Sequence, residues 1–193
     1  MSGTLLAIFV GGRSSRMGTD KGLLIAPGGS LTLVESLVSA GRKARLPLAF
    51  IGDAAPYDAI AVDVPRVDDR PQGVGPLGGL SGAFHFAAAE RHTRVIAVAC
   101  DMPYVGARVL RVLADHPSQA AVLAPRRGQD SPWEPMLARY DVAEVGPVLD
   151  ETLRRGKRSF QTLFTNTNVE ALPLTHEVSR ALDDWDLPSD VPR

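Results

Sequence analysis

The sequence holds a single cysteine, Cys100, among 193 residues. An intramolecular disulfide framework is therefore excluded, and so is a zinc site or redox motif built on paired thiols. Charge of one sign is equally scarce: 21 Lys and Arg face 22 Asp and Glu, for a net charge of −1. This leaves no basic face for nucleic acid and no acidic run of the kind that makes a disordered tail. No apolar stretch reaches the roughly 18 residues of a membrane helix, and no charged-then-apolar leader is read at the N-terminus, so the cytoplasm is the expected location. Internal repeats, low-complexity segments and a Ser-His-Asp set are absent as well. Hydrophobic residues at 45% and charged residues at 22% are ordinary for a globular chain, and the length suits one domain over residues 1–193.

Strand-like and helix-like segments alternate. Leu5–Val10 is a continuous apolar run stopped by Gly11-Gly12, as expected of a strand buried on both faces. Helical spacing follows at Leu31–Ala40, with Gly41 read as a left-handed cap. Strands are predicted at Leu48–Ile51, Ala61–Val67, Arg94–Ala99, Ala120–Leu123, Pro135–Tyr140 and Val169–Leu174. Helices are predicted at Leu77–Arg91, Val109–Leu113 and Val142–Arg155, the first weakened at its start by Gly78, Gly79 and Gly82. Such alternation predicts an α/β fold, an open, mostly parallel sheet with helices on both faces. Ligands of such sheets bind beyond the carboxyl ends of the strands. The loops around Pro71–Gly79 and Pro125–Pro132 then belong to that edge.

Residues 10–21 read VGGRSSRMGTDK. Gly11 and Gly12 let the backbone turn tightly where the first strand ends, and Arg13, Arg16 and Lys21 supply cations beside the N–H groups of the turn. Together they suit a polyphosphate. A Walker loop is excluded because Thr19-Asp20 separate Gly18 from Lys21, and GxGxxG is not matched either. The same residues also suit a solvated βα loop. Asp101 directly follows the strand RVIAVA, where its carboxylate would project at the sheet edge. There it could hold Mg²⁺ on nucleotide phosphates, or serve as a helix N-cap or in an Asx-turn, since Asp-x-Pro is common turn chemistry.

The loop GGRSSRMGTDK resembles the signature of the nucleotidyltransferases related to molybdenum cofactor guanylyltransferase, through Gly11, Gly12, Ser14, Arg16, Met17, Gly18, Asp20 and Lys21. Further on, DDRPQGVGPLGGLSG (68–82) and ACDMPYV (99–105) are similar to later segments of that family, in the same order. At the end of the chain LDDWDLPSD (182–190) resembles its closing acidic motif, with Asp184 and Asp186 in the two acidic places. Leu187 and Ser189 depart from the usual threonine and glutamate. Guanylyltransferases more often carry asparagines at the two acidic places.

The resemblance implies a Rossmann-like fold of the nucleotide-diphospho-sugar transferase type, with a nucleotide-binding half over about 1–103 and an acceptor-binding half over about 104–193. It implies Arg16, Lys21 and Asp101 as catalytic residues and Gly11, Gly12, Arg13, Lys21, Asp69, Gly78 and Asp101 as the nucleotide site. Mg²⁺ is the implied cofactor, on Asp101 and Asp186, with Asp184 the other candidate for the second ligand. The implied reaction passes GMP from GTP to the phosphate of molybdopterin or another phosphorylated acceptor and releases pyrophosphate. Molybdoenzymes or cofactor-insertion proteins are the implied protein partners, with no nucleic acid or membrane. A GG start and Asp20-Lys21 favour guanine, whereas the DWD triplet lies nearer the acidic form of the closing motif. Cytidylyl transfer to the same cofactor, transfer to a phospholactate or sugar phosphate, and a GTP-binding assembly module without turnover stand as alternatives. Arg126, Arg127, Arg154, Arg155, Lys157 and Arg158 suit either an acceptor site or solvated surface. Cys100 reads as a small buried hydrophobe and His85 as packed or surface.

Overall fold

In the computed structural model of the protein, the structure describes residues 3–10 and 21–185. Seven strands form one sheet: β1 (Gly3–Phe9), β2 (Leu48–Ile51), β3 (Arg66–Val67), β4 (His92–Ala99), β5 (Val122–Ala124), β6 (Leu137–Asp141) and β7 (Val169–Ala171). Their order is β3-β2-β1-β4-β6-β5-β7. β3, β2, β1 and β4 run parallel, β6 is antiparallel to both its neighbours, and β5 pairs parallel with β7. The carboxyl ends of β1, β2, β3, β4 and β5 therefore share one edge with the start of β6.

Alternation along the strands divides the core into two layers. Leu6 and Ile8 of β1 and Ile96 and Val98 of β4 face α1 (Leu33–Lys43), α3 (Ala107–Asp115) and α6 (His176–Ala181). Leu5 and Ala7, with Val95 and Ala97, face α2 (Pro76–Ala89), α4 (Val142–Arg154) and α5 (Phe160–Thr165). Side chains point alternately to opposite faces of a strand, so an unbroken apolar run such as Leu5–Ile8 has to be covered on both sides. The helices on both faces supply that cover.

Several segments differ from the sequence expectation for local reasons. Gly41 does not end α1 but is buried inside it, where a Cβ would come within 2.5 Å of Leu48 and 2.8 Å of Leu6. The reversal comes at Arg45, with φ of 60°. α1 starts at Leu33 because Thr32 and Glu35 form a reciprocal capping box, worth about 1 kcal/mol. Of the strand expected over Ala61–Val67 only Arg66–Val67 pairs, since Ala61–Val64 closes a turn through Val64 N–H to the Ala61 carbonyl. α5 and α6, six residues each, were not predicted: they are too short to show a helical period and owe their burial to Tyr140 and to α3.

Candidate active site

Asp101 lies just past β4, and its carboxylate faces the Lys21 ammonium: Nζ to Oδ2 is 3.1 Å, with the side chains 16% and 22% exposed. The expectation that Asp101 projects at the carboxyl edge is met. It caps no helix, because α3 begins at Ala107 behind the N-cap Gly106. Lys21 rides on a short 3-10 turn, Lys21–Leu23, that leads into a ribbon closed by the bridge between Ile25 and Thr32. The adjacent Gly22 is buried, and a Cβ there would run into the Tyr57 hydroxyl and approach Val34 to 2.7 Å. Only glycine lets this turn lie flat on the α1 layer, which in turn sets where Lys21 reaches.

A cleft of about 460 Å³ opens at this edge, lined by Val10, Gly52, Asp69, Pro76, Asp101 and Met136 among others. Asp69 follows β3, and burial, reinforced by the neighbouring Asp68 carboxylate, holds its carboxyl above the usual range. The loop that carries it is clamped to α2: Arg70 N–H donates to the Gly78 carbonyl at 2.8 Å, and a Cβ on Gly78 would lie 2.5 Å from the Pro71 carbonyl. Gly78 thus allows close approach of the protein's own backbone. Gly79 does the same against the Phe9 ring, at 2.7 Å. Gly75, by contrast, has open space around it and is needed for its φ of 78° at the start of α2. Gly52 was not singled out from the sequence. It lines the cleft with φ of 97°, and a Cβ on it would meet the Val10 carbonyl at 2.5 Å. Its position immediately after the strand LAFI was the available signal.

The C-terminal arm, residues 182–185, returns to the same edge. Trp185 N–H donates to the Asp101 carbonyl at 3.0 Å, and the indole, 3% exposed, is buried with Ala26 and Leu33 beneath the Lys21 ribbon. Across the cleft the loop 125–136 carries Arg126 stacked on the Trp133 ring at 4.5 Å, while Gln161 holds Trp133 through both its N–H and carbonyl. Arg127 contacts the arm. Arg154 and Arg155 instead pair with Glu151 on α4, and neither they nor Lys157 and Arg158 line the cleft. Cys100 is half-buried in the cleft wall, more open than expected. His85 lies on α2 against the Ser81 carbonyl. Gly11, Gly12, Arg13, Ser14, Arg16, Met17, Gly18 and Asp20, like Asp186, Pro188 and Asp190, lie outside the described residues.

The donor chemistry fits Mg²⁺: a carboxylate at a strand end, accessible from a cleft and flanked by a cation, is what the protein would contribute to an ion whose other ligands were phosphate oxygens and water.

Residues 6–173 match the MobA-like NTP transferase domain. A molybdenum cofactor guanylyltransferase of Rhizobium johnstonii is 38% identical over 187 residues, which cover 92% of this chain and 83% of that protein. A probable molybdenum cofactor guanylyltransferase of Carboxydothermus hydrogenoformans is 31% identical over 174 residues, 89% of this chain and 82% of that protein. Among solved structures, molybdopterin-guanine dinucleotide biosynthesis protein A from Archaeoglobus fulgidus superposes with a TM-score of 0.75 at 22% identity, over 96% of this chain and 94% of that one. The fold is thus that of the nucleotidyltransferases.

Proposed function

The chain belongs to the MobA-like NTP transferase family, and from that premise we propose that it transfers GMP from GTP to the phosphate of the molybdenum cofactor. The curated relatives carry that activity in their names. The observation that supports the reading in this chain is the apposition of Lys21 and Asp101, 80 residues apart, at the mouth of a cleft that also holds Asp69.

An oxygen of the acceptor phosphate attacks the α-phosphorus of GTP. One P–O bond forms, the α–β bridging P–O bond breaks, and pyrophosphate leaves with the electron pair. The acceptor is ionised at neutral pH, so positioning and charge neutralisation matter more than a general base. Lys21, together with Arg13 and Arg16 of the glycine-rich loop, offsets triphosphate charge, and Gly11 and Gly12 let the backbone approach it. Asp69 and Gly78 lie on the nucleoside side. Asp101 and Asp186 would hold Mg²⁺, which when bound acts as a Lewis acid on the reacting phosphate. Residues 1–103 supply the nucleotide half and about 104–193 the acceptor half, to which the loop 125–136 and the C-terminal arm belong.

The test is pyrophosphate release with molybdopterin present, run with GTP, CTP and ATP, alongside calorimetric titration of each nucleotide with Mg²⁺. GTP is expected to bind clearly more tightly, because a site built to hydrogen-bond one base edge leaves its own groups unpaired with another. A preference for CTP would move the assignment to cytidylyl transfer, and tight GTP binding without turnover would favour an assembly module.

A further inference from the structure

Two segments meet on the acceptor side of the cleft, and one guanidinium joins them. Arg127, on the loop 125–136, donates from Nη2 to the Leu182 carbonyl at 2.7 Å. Its Nη1 and Nη2 lie 3.4 and 3.3 Å from Asp183 Oδ1, and its Nε lies 3.7 Å from Glu134 Oε1. Leu182 is the C-cap of α6, so the contact satisfies a carbonyl that a helix end leaves over. Asp184 enters the same neighbourhood: burial raises the Glu134 carboxyl above its usual range, Arg127 pulls it down, and Asp184 pushes it up again. One acid from the loop and one from the arm thus hold a single cation, and Asp184 lies near enough to act on Glu134. Beyond Asp184, Trp185 is fixed from the opposite side by the Asp101 carbonyl and the pocket under the Lys21 ribbon.

We propose that Arg127 is a positioning residue for the transfer, fastening the C-terminal arm to the acceptor-side loop so that the arm's acids are presented next to Asp101. This inference rests on the nucleotidyl-transfer reading. With Arg127 removed, Glu134 repels Asp183 and Asp184 across the gap, and the arm loses its side-chain fastening to the loop 125–136. A lysine supplies charge but cannot serve a carbonyl and a carboxylate from one planar fork.

The chain has two tryptophans, so a Trp133→Phe background leaves Trp185 as the only indole reporter. In that background Arg127→Ala is compared with the parent by acrylamide quenching and by pyrophosphate release as a function of Mg²⁺ and of GTP. The variant is expected to quench about two-fold more readily and to need about ten-fold more Mg²⁺ for half-maximal rate, with KM for GTP within about two-fold of the parent. Arg127→Lys recovers part of both losses. Unchanged quenching would overturn the proposal, as would greater quenching with unaltered Mg²⁺ dependence, which would make the contact structural only. A rise confined to KM for the acceptor, with Trp185 unmoved, would also overturn it and make Arg127 a binding residue. Asp183→Ala, which removes one partner from the other side, should show the same split at smaller size and decides the matter if Arg127→Ala fails to fold. A parent that releases no pyrophosphate with any nucleotide sinks the transfer reading, while the quenching comparison still reports on the clamp.

Discussion

Lys21 Nζ and Asp101 Oδ2 lie 3.1 Å apart in a partly enclosed cleft, each neutralising the other. Under the proposed function a triphosphate would claim the first of these groups and a divalent cation the second, so the two ligands would relieve one another's competition. Lys21→Met is expected to weaken GTP binding by more than about ten-fold and, without nucleotide, to tighten Mn²⁺ binding read by electron paramagnetic resonance. Mn²⁺ binding no tighter than in the parent would show that the pair does not mask the carboxylate.

Asp101→Asn keeps an acceptor for Lys21 and should melt close to the parent, yet lose turnover by orders of magnitude. A rate within about ten-fold of the parent would remove Asp101 from the metal site.

The C-terminal arm separates stability from chemistry. Ending the chain after Trp185 removes Asp186 but keeps the buried indole, so nucleotide binding and melting temperature should persist while turnover is lost. Ending it after Leu182 also empties the pocket formed by Ala26 and Leu33, at a cost of about 3 kcal/mol for a large buried aromatic. Thermal melts and pyrophosphate release on both truncations check this, and an active shorter form would exclude the second ligand.

Asp69 predicts a pH signature. Burial and Asp68 raise its folded pKa, so between the unfolded and folded values the native state binds more protons than the unfolded one and stability falls as pH rises. Asp69→Asn removes this loss. Its melting temperature should equal the parent's at acid pH, exceed it above the folded pKa, and come with a reduced preference for GTP over CTP. A variant less stable than the parent at neutral pH would contradict the burial argument.

Arg139 on β6 is 2% exposed and donates to the carbonyls of Leu113, His116 and Ser118, closing the end of α3. Arg139→Leu leaves these acceptors unsatisfied and should cost about 3 kcal/mol in denaturant titration without altering GTP affinity. A neutral substitution would mean that water replaces the guanidinium.

Much of this protein was legible from one dimension. The apolar runs Leu5–Val10 and Val95–Ala99 required a sheet covered on both faces, because alternate side chains leave a strand in opposite directions. The glycine and cation order of residues 10–21, and an aspartate immediately after a strand, directed attention from residue type and spacing to the sheet edge where Lys21 and Asp101 meet. Tertiary structure alone decided the pairings between distant segments. Gly41 is a helix interior residue because Leu6 and Leu48 press on it, and Gly22 and Gly52 are fixed by Tyr57 and by the Val10 carbonyl. Trp185 and Arg127 are anchors because Asp101 and Leu182 happen to lie opposite them. Such contacts leave no periodicity in the sequence: they depend on what the fold brings within a few ångströms, and that is set by the packing of layers rather than by the neighbours along the chain.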